Sequence, residues 1–176
     1  MLRVQAGDLE AFAQLVERFQ NMVYGLALSI LRRREDAEEA AQDTFLKLYR
    51  ARDTFDETKN LEPWLLRIAG NASRDKLRRR RVGEVPQLRR ADDTVLELAD
   101  PRSAVDDRKS HDDETVHRAL GALSDKVRLP LELKYLRGLT NAQIAVALDI
   151  SVSNVKVQIA RGKDILASRL AEVSEP

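Results

Sequence analysis

Gly138–Leu170 reads GLTNAQIAVALDISVSNVKVQIARGKDILASRL, and the fold turns on how it is read. Ile144, Ala145 and Leu148 recur at helical spacing, and Val155, Ile159, Ile165 and Leu166 repeat the pattern after a break. The break, Asp149-Ile150-Ser151, is short and polar around one apolar anchor. Thr140 and Ser151 stand where a side-chain oxygen would cap each helix by accepting from an unpaired backbone N–H. Two helices joined by so short a turn predict a helix-turn-helix, whose second helix enters a DNA major groove. The solvent face of that helix is expected to carry Ser153, Asn154, Lys156, Gln158, Arg161 and Lys163. Amide and guanidinium groups match base edges, and hydroxyl and ammonium groups match phosphate oxygens. An ordinary helical hairpin with a solvated polar face has the same pattern, so this stretch alone leaves both readings open.

Working outward, a second module is expected over 113–176. Val116, Ala119, Leu120 and Leu123 form a short apolar stripe, Ser124 is placed to start the next helix, and Leu129, Leu131, Leu133 and Leu136 offer further packing. Pro130 should interrupt one backbone hydrogen bond and kink that segment. Residues 82–112 read as a flexible acidic linker, with Pro86, Pro101 and few large apolar groups; Val95, Leu96 and Leu98 suit at most a short transient helix.

Residues 1–81 read as a first module of three helices. The first spans 8–31, with Asp8 near its start and Phe12, Leu15, Val16, Phe19, Val23, Leu26, Ala27 and Ile30 on one stripe. Arg32-Arg33-Arg34 suits the negative end of its dipole. Asp36 is expected to cap the second helix, with Glu39 completing a variant capping box; Ala37, Ala40, Ala41, Thr44, Phe45 and Leu48 supply its packing face. Gln42, Asp43 and Lys47 fall on exposed flanks, as solvated residues or as a partner surface. DTFDETKN over 53–60 interrupts the pattern, and Leu61 and Pro63 open the third helix. Trp64, Leu65, Ile68, Ala69, Ala72 and Leu77 face its core, while Arg67, Asn71, Arg74, Asp75, Lys76 and Arg78–Arg81 crowd its polar side. Such basic density suits a phosphate backbone, and aromatic groups near the loop could stack an unpaired base; a solubilising helix end is the plainer reading.

Composition narrows the choices. The formal charge of +1 conceals a segregation: residues 1–90 carry 18 Arg and Lys against 14 Asp and Glu, residues 91–114 carry 3 against 9, and residues 115–176 carry 9 against 6. Two basic modules therefore flank an acidic connector that DNA would repel. With no cysteine, disulfides and thiolate metal sites are excluded. His111 and His117 lack ligand spacing, so no metal site is expected. No apolar run approaches the roughly 20 residues that span a bilayer, and no export signal opens the chain. An all-α protein is expected, with two small helical domains joined by the linker and the helix-turn-helix in the second.

In that order and spacing the segments resemble a bacterial extracytoplasmic-function (ECF) sigma factor of the housekeeping-sigma superfamily. GDLEAFAQLVERF and DAEEAAQDTFLKLY are similar to the first two helices of sigma domain two, and PWLLRIAGNASRDKLRRRR to its promoter-reading part. ALSDKVRLPLELKYLRGLTNAQIAVALDISVSNVKVQIARGKDIL is similar to sigma domain four. The resemblance implies a non-catalytic, cofactor-free cytoplasmic protein that binds core RNA polymerase and promoter DNA and accompanies the nucleoid during initiation. It implies no membrane insertion, an anti-sigma partner able to recruit it to a membrane, and a free protein inhibited either by packing between the domains or by that partner. By the same resemblance Asp36, Gln42, Asp43 and Lys47 dock on polymerase. Phe55, Asn60, Leu61 and Trp64 belong to the loop that captures an unstacked minus-ten base, with Asn71, Arg74, Arg78 and Arg79 beside it. Ser151, Ser153, Asn154, Lys156, Val157 and Arg161 match the minus-thirty-five reader. The sequence departs from the family at Asn154-Val155-Lys156-Val157-Gln158, often Thr-Val-Lys-Ser-Arg, which removes a basic contact. Gln143 stands for a usual acid, Asp149 for a frequent turn glycine, and Pro130 for a helix former.

Two other functions fit parts of the pattern. A dimeric helix-turn-helix regulator would use the second module on DNA and the first as a sensor, without explaining the Trp-and-basic segment of the first. A non-sigma polymerase adaptor would bind polymerase without promoter choice. No local combination of nucleophile and base points to catalysis.

Overall fold

A computed structural model describes residues 1–83 and 120–173, and every element in them is helical. A short helix not expected from the sequence, α1 (Leu2–Gln5), precedes α2 (Leu9–Leu31). Asp8 caps α2 by accepting from the Ala11 N–H at 3.0 Å, as its position predicts. α3 (Arg34–Arg50) follows after Arg32, a left-handed residue at φ 58° that closes α2. Asp36 does not cap α3. The chain is already helical at Arg34, so Asp36 lies in the first turn, and Arg33, Lys76 and Arg80 draw its carboxylate sideways. A 3₁₀ turn at Arg52–Thr54 and a loop lead to α4 (Leu61–Gly83).

α2, α3 and α4 pack on one another around Val23, Leu26, Leu48, Leu65, Leu66 and Ala69, each nearly or wholly inaccessible to water. Burying one such leucine contributes about 1.5–3 kcal/mol, so this apolar stripe holds the bundle together. α4 keeps its helix through Gly83, and most of the expected linker, with His111, His117, Val116 and Ala119, lies outside the described residues.

The second region contains α5 (Asp125–Leu131), a π-helical segment (Glu132–Leu136), α6 (Asn141–Leu148) and α7 (Val152–Val173). Pro130 acts as an interruption, but in the form of a widening. It sits in the last turn of α5, and beyond it the Arg137 N–H donates to Glu132 O at 3.1 Å, five residues back. Thr140 and Gln143 form a complete capping box on α6. Asp149 ends α6 in the left-handed conformation, φ 57°, which its short polar side chain tolerates in place of glycine. Gly162 of α7 faces Val127 and Leu131 so closely that a β-carbon would run into both, which lets α5 and α7 pack without a gap.

The two regions dock. Arg128 of α5, 1% exposed, donates to Ser29 O of α2 at 3.2 Å while pairing with Glu132 at 2.6 Å and Asp125 at 2.8 Å. Burial works against its charge, but the two carboxylates outweigh it and hold the guanidinium above its ordinary value. Gly25 of α2 leaves room for Arg137. The largest part of the contact is α6 lying across α4.

Candidate nucleic-acid and partner interfaces

α3 presents Gln42, Asp43 and Lys47 to solvent, as its helical phase predicts, with Leu46 exposed among them. Asp43 and Lys47 also edge a charged cleft of about 240 Å³ between α3 and α4, opposite Asp75, Lys76 and Arg79. Asp36 belongs to the same cleft but is committed within the fold, 3.1 Å from Arg80 and 3.5 Å from Lys76. Lys76 also reaches Glu39 at 2.6 Å, and that bond is the main reason its ammonium is held above its ordinary value. The network ties the start of α3 to the middle of α4.

The loop before α4 divides into a buried root and an exposed tip. Phe55 is buried, its ring 5.0 Å from that of Trp64, so these two aromatics brace each other at the root. Asp56–Asn60 are exposed. Asp56 accepts from the Thr58 hydroxyl at 2.7 Å and backbone N–H at 3.1 Å and pairs with Lys59, which lowers its pKa. Asn60 accepts from the Glu62 N–H at 3.0 Å and so opens α4, with half-buried Leu61 as its first residue.

Asn71, Arg74 and Arg78 recur at helical spacing on one face of α4, with exposed Arg79 beside them. Arg78 pairs with Asp75 at 3.1 Å. Arg74 is occupied at both ends of its fork. One nitrogen donates to Asn71 Oδ1 at 2.6 Å, and the other reaches across to the Ala147 carbonyl of α6. Burial pushes its guanidinium below its ordinary value, with Asp149 and Asp75 opposing. One turn earlier, Gly70 meets the same carbonyl: any β-carbon there would collide with it. At the other end of the contact, the Gln143 amide donates to the Glu62 carboxylate. Where the resembling family usually carries an acid, this chain has an amide that caps its own helix and bonds an acid on α4.

α7 is the opposite case. Ser151 caps it by accepting from the Asn154 N–H at 3.1 Å, and Ser151, Ser153, Lys156, Val157 and Arg161 are exposed along its first turns. Asn154 is half-buried and accepts from Gln158 at 3.0 Å. Gln158 itself is 3% exposed, not on the solvent face, and Ile165 is exposed, not in the core. The buried stripe is Val155, Gln158, Ile159 and Gly162, continued by half-buried Leu166, at helical spacing. It is set by the need for Gly162 at the crossing with α5 rather than by the most apolar residues. Lys163 is exposed as expected, seven residues on from Lys156, with its ammonium 5.2 Å from the Tyr135 ring centre.

The residues of the interdomain contact escaped the sequence reading. The signals were Gly25 and Gly70, since a glycine inside a helix costs about 1 kcal/mol relative to alanine and often marks a close approach. Among the described residues no helix is long and apolar enough to cross a membrane, and no group of three acidic or histidine side chains is placed to hold a metal.

Two family models match the chain: sigma-70 region 2 over residues 15–82 and sigma-70 region 4 over 113–166. The chain is 30% identical to the ECF RNA polymerase sigma factor SigW of Bacillus subtilis (strain 168), over 97% of this chain and 95% of that protein. It is 32% identical to the ECF RNA polymerase sigma factor SigK of Mycobacterium tuberculosis (strain ATCC 25177 / H37Ra), over 94% and 87%. Among solved structures it is similar to CnrH, determined in complex with the cytosolic domain of CnrY. There the TM-score is 0.68 at 28% identity, covering 99% of this chain and 96% of that one.

Proposed function

The chain belongs to the ECF RNA polymerase sigma factors of the sigma-70 superfamily, and from that premise we propose how its surfaces divide the work. Such a factor is a non-catalytic subunit that binds core polymerase and directs it to promoters. Gln42, Asp43 and Lys47 dock on the polymerase, with Asp36 holding the helix that presents them. The loop from Phe55 to Leu61 captures an unstacked minus-ten base over Trp64, and Asn71, Arg74, Arg78 and Arg79 hold the DNA beside it. Ser151, Ser153, Asn154, Lys156, Val157 and Arg161 read the minus-thirty-five element, where Gln158 replaces a common basic contact by a buried brace for Asn154.

The observation that carries this division is that the sets lie on three different elements, α3, the loop with α4, and α7, and that each helix has exposed polar groups at helical spacing. The docked arrangement is the resting form: Arg74 is engaged by α6, so the minus-ten surface is completed only when the regions separate. An anti-sigma partner holds the resting form in the cytoplasm, or at a membrane where that partner is membrane-bound. CnrH with its CnrY domain is the solved complex that supports this partner.

The test is promoter-selective transcription with cognate core polymerase, alongside direct polymerase binding. Arg78→Ala and Asn154→Ala should each lower promoter-specific initiation about tenfold, as base and phosphate contacts worth roughly 1–3 kcal/mol do, without weakening the polymerase complex. Asp43→Ala should weaken the complex first. Equal losses of both activities in all three variants would refute the division.

A further inference from the structure

We propose that α1 is a strut for the minus-ten loop and that Gln5 is its positioning residue. This rests on the reading of 55–61 as the base-capturing loop. The Gln5 side-chain amide donates to two carbonyls at once, Arg52 O at 2.9 Å and Phe55 O at 3.1 Å, from 47 and 50 residues away in sequence. Those carbonyls bracket the 3₁₀ turn from which the loop departs. Each hydrogen of the amide fixes one of them, so the direction of the chain entering the loop is set at both ends of the turn.

The strut is itself held. Val4 is 2% exposed in the core of the bundle, Gly7 turns the chain at φ 85°, and Arg3 pairs with Asp8 at 2.8 Å, on the residue that caps α2. The turn has further ties of its own. Arg52 donates to Tyr49 O at 2.8 Å and lies over the Tyr49 ring, and the Thr54 hydroxyl donates to Ala51 O at 2.7 Å. Past Phe55 the bonds are local: Asp56 with Thr58 and Lys59, and Asn60 with Glu62. The Phe55 position therefore decides where the exposed tip stands. Its ring is placed by Trp64 and its carbonyl by Gln5. The same helix walls a groove of about 630 Å³ with Arg18 and Phe19 of α2 and Phe55 and Lys59 of the loop, so a shift of α1 moves the floor beneath the tip as well.

A residue acting through the loop should affect strand opening and leave polymerase binding alone. Gln5→Glu is the discriminating variant, because it keeps the shape of the side chain and cannot donate when ionised. The probe is a promoter duplex taken upstream of a transcript that requires this protein, with 2-aminopurine replacing each minus-ten adenine in turn. Its fluorescence rises as a base unstacks. With the full chain and core polymerase, Gln5→Glu should slow that rise about tenfold, as expected for two lost hydrogen bonds to a positioned backbone. Its polymerase affinity should match the parent, and a template mismatched across the minus-ten element should restore most of the transcription. Opening at the parent rate, an equal loss on the mismatched template, or a matching loss of polymerase affinity would each overturn the strut. Asn60→Ala separates this failure from that of the underlying reading. If Asn60→Ala slows opening and Gln5→Glu does not, the strut alone falls; if neither slows it, the loop is not the capture site.

Discussion

α4 and α7 both carry basic and amide groups suited to DNA, yet they are unlike in what lies on them. The first turns of α7 present Ser151, Ser153, Lys156, Val157 and Arg161 to solvent. The face of α4 that holds Arg74 is crossed by α6, one helix before α7 itself. One region thus presents its reading helix while covering that of the other. The masking combines a close backbone approach and a few polar bonds with apolar packing, since the buried side chains of the two regions form one continuous core. Opening it therefore exposes apolar surface as well as breaking polar bonds.

The sharpest way to break this asymmetry is Gly70→Ala. The new β-carbon meets Ala147 O of α6, whereas its own bundle has nothing as close, and alanine strengthens the helix interior by roughly 0.5–1 kcal/mol. The regions should separate while the N-terminal bundle becomes no less stable. Energy transfer from Trp64, the single tryptophan, to a dye on Ser168→Cys reports the separation, as the chain has no native cysteine. Transfer should fall to the level of the undocked chain, and promoter affinity should rise because Arg74 is released. Unchanged transfer would mean that the close approach does not govern docking.

Gln143→Glu should act in the same direction but less strongly. Glutamate at that position preserves the capping box with Thr140, so α6 keeps its start. The donor to Glu62 is lost and a carboxylate takes its place, costing the contact about 1–2 kcal/mol. Glu62→Gln in the same chain should restore docking by reversing the pair. Failure of the double variant to recover would show that the loss does not run through the pair with Glu62.

These variants target what the sequence concealed. Periodicity, caps and turn chemistry were local and therefore legible: Asp8, Thr140, Ser151 and Asp149 act where their spacing predicts, and the three helices of the first region fall where their stripes place them. Asp36 misled because its capping pattern is local while its ion pairs come from α4, far along the chain. Gln158 and Ile165 exchanged places because the phase of α7 is fixed by Gly162 against α5, a steric requirement that hydrophobicity does not record. The docking of α6 on α4 left only Gly70 as a trace, since a carbonyl meeting a missing side chain has no periodic signature. Of the candidate site residues, most are exposed on α3, α4 and α7, whereas Phe55 is buried at the root of its loop. The sequence did not reveal that Arg74 would be shared between regions.

The smallest effect compares the regions by their caps. α2 is capped by a carboxylate, Asp8, whereas α6 and α7 are capped by the hydroxyls of Thr140 and Ser151. The Ala11 N–H, followed by Arg3, holds Asp8 below the ordinary value of 3.8. A folded pKa below the unfolded one means that the cap stabilises fully above the unfolded value, and that this contribution is lost as pH falls through the folded one. Acid should therefore loosen the start of α2 and leave the caps of the helix-turn-helix untouched. Trp64 fluorescence during urea unfolding reads the first region, and Asp8→Asn keeps a capping oxygen that does not titrate. The midpoint difference between the parent and Asp8→Asn should shift against the parent as pH drops below 3.8. Parallel midpoints through that range would show that the carboxylate contributes no more than the amide. The acid sensitivity of the two regions would then have to arise in their ion pairs rather than their caps.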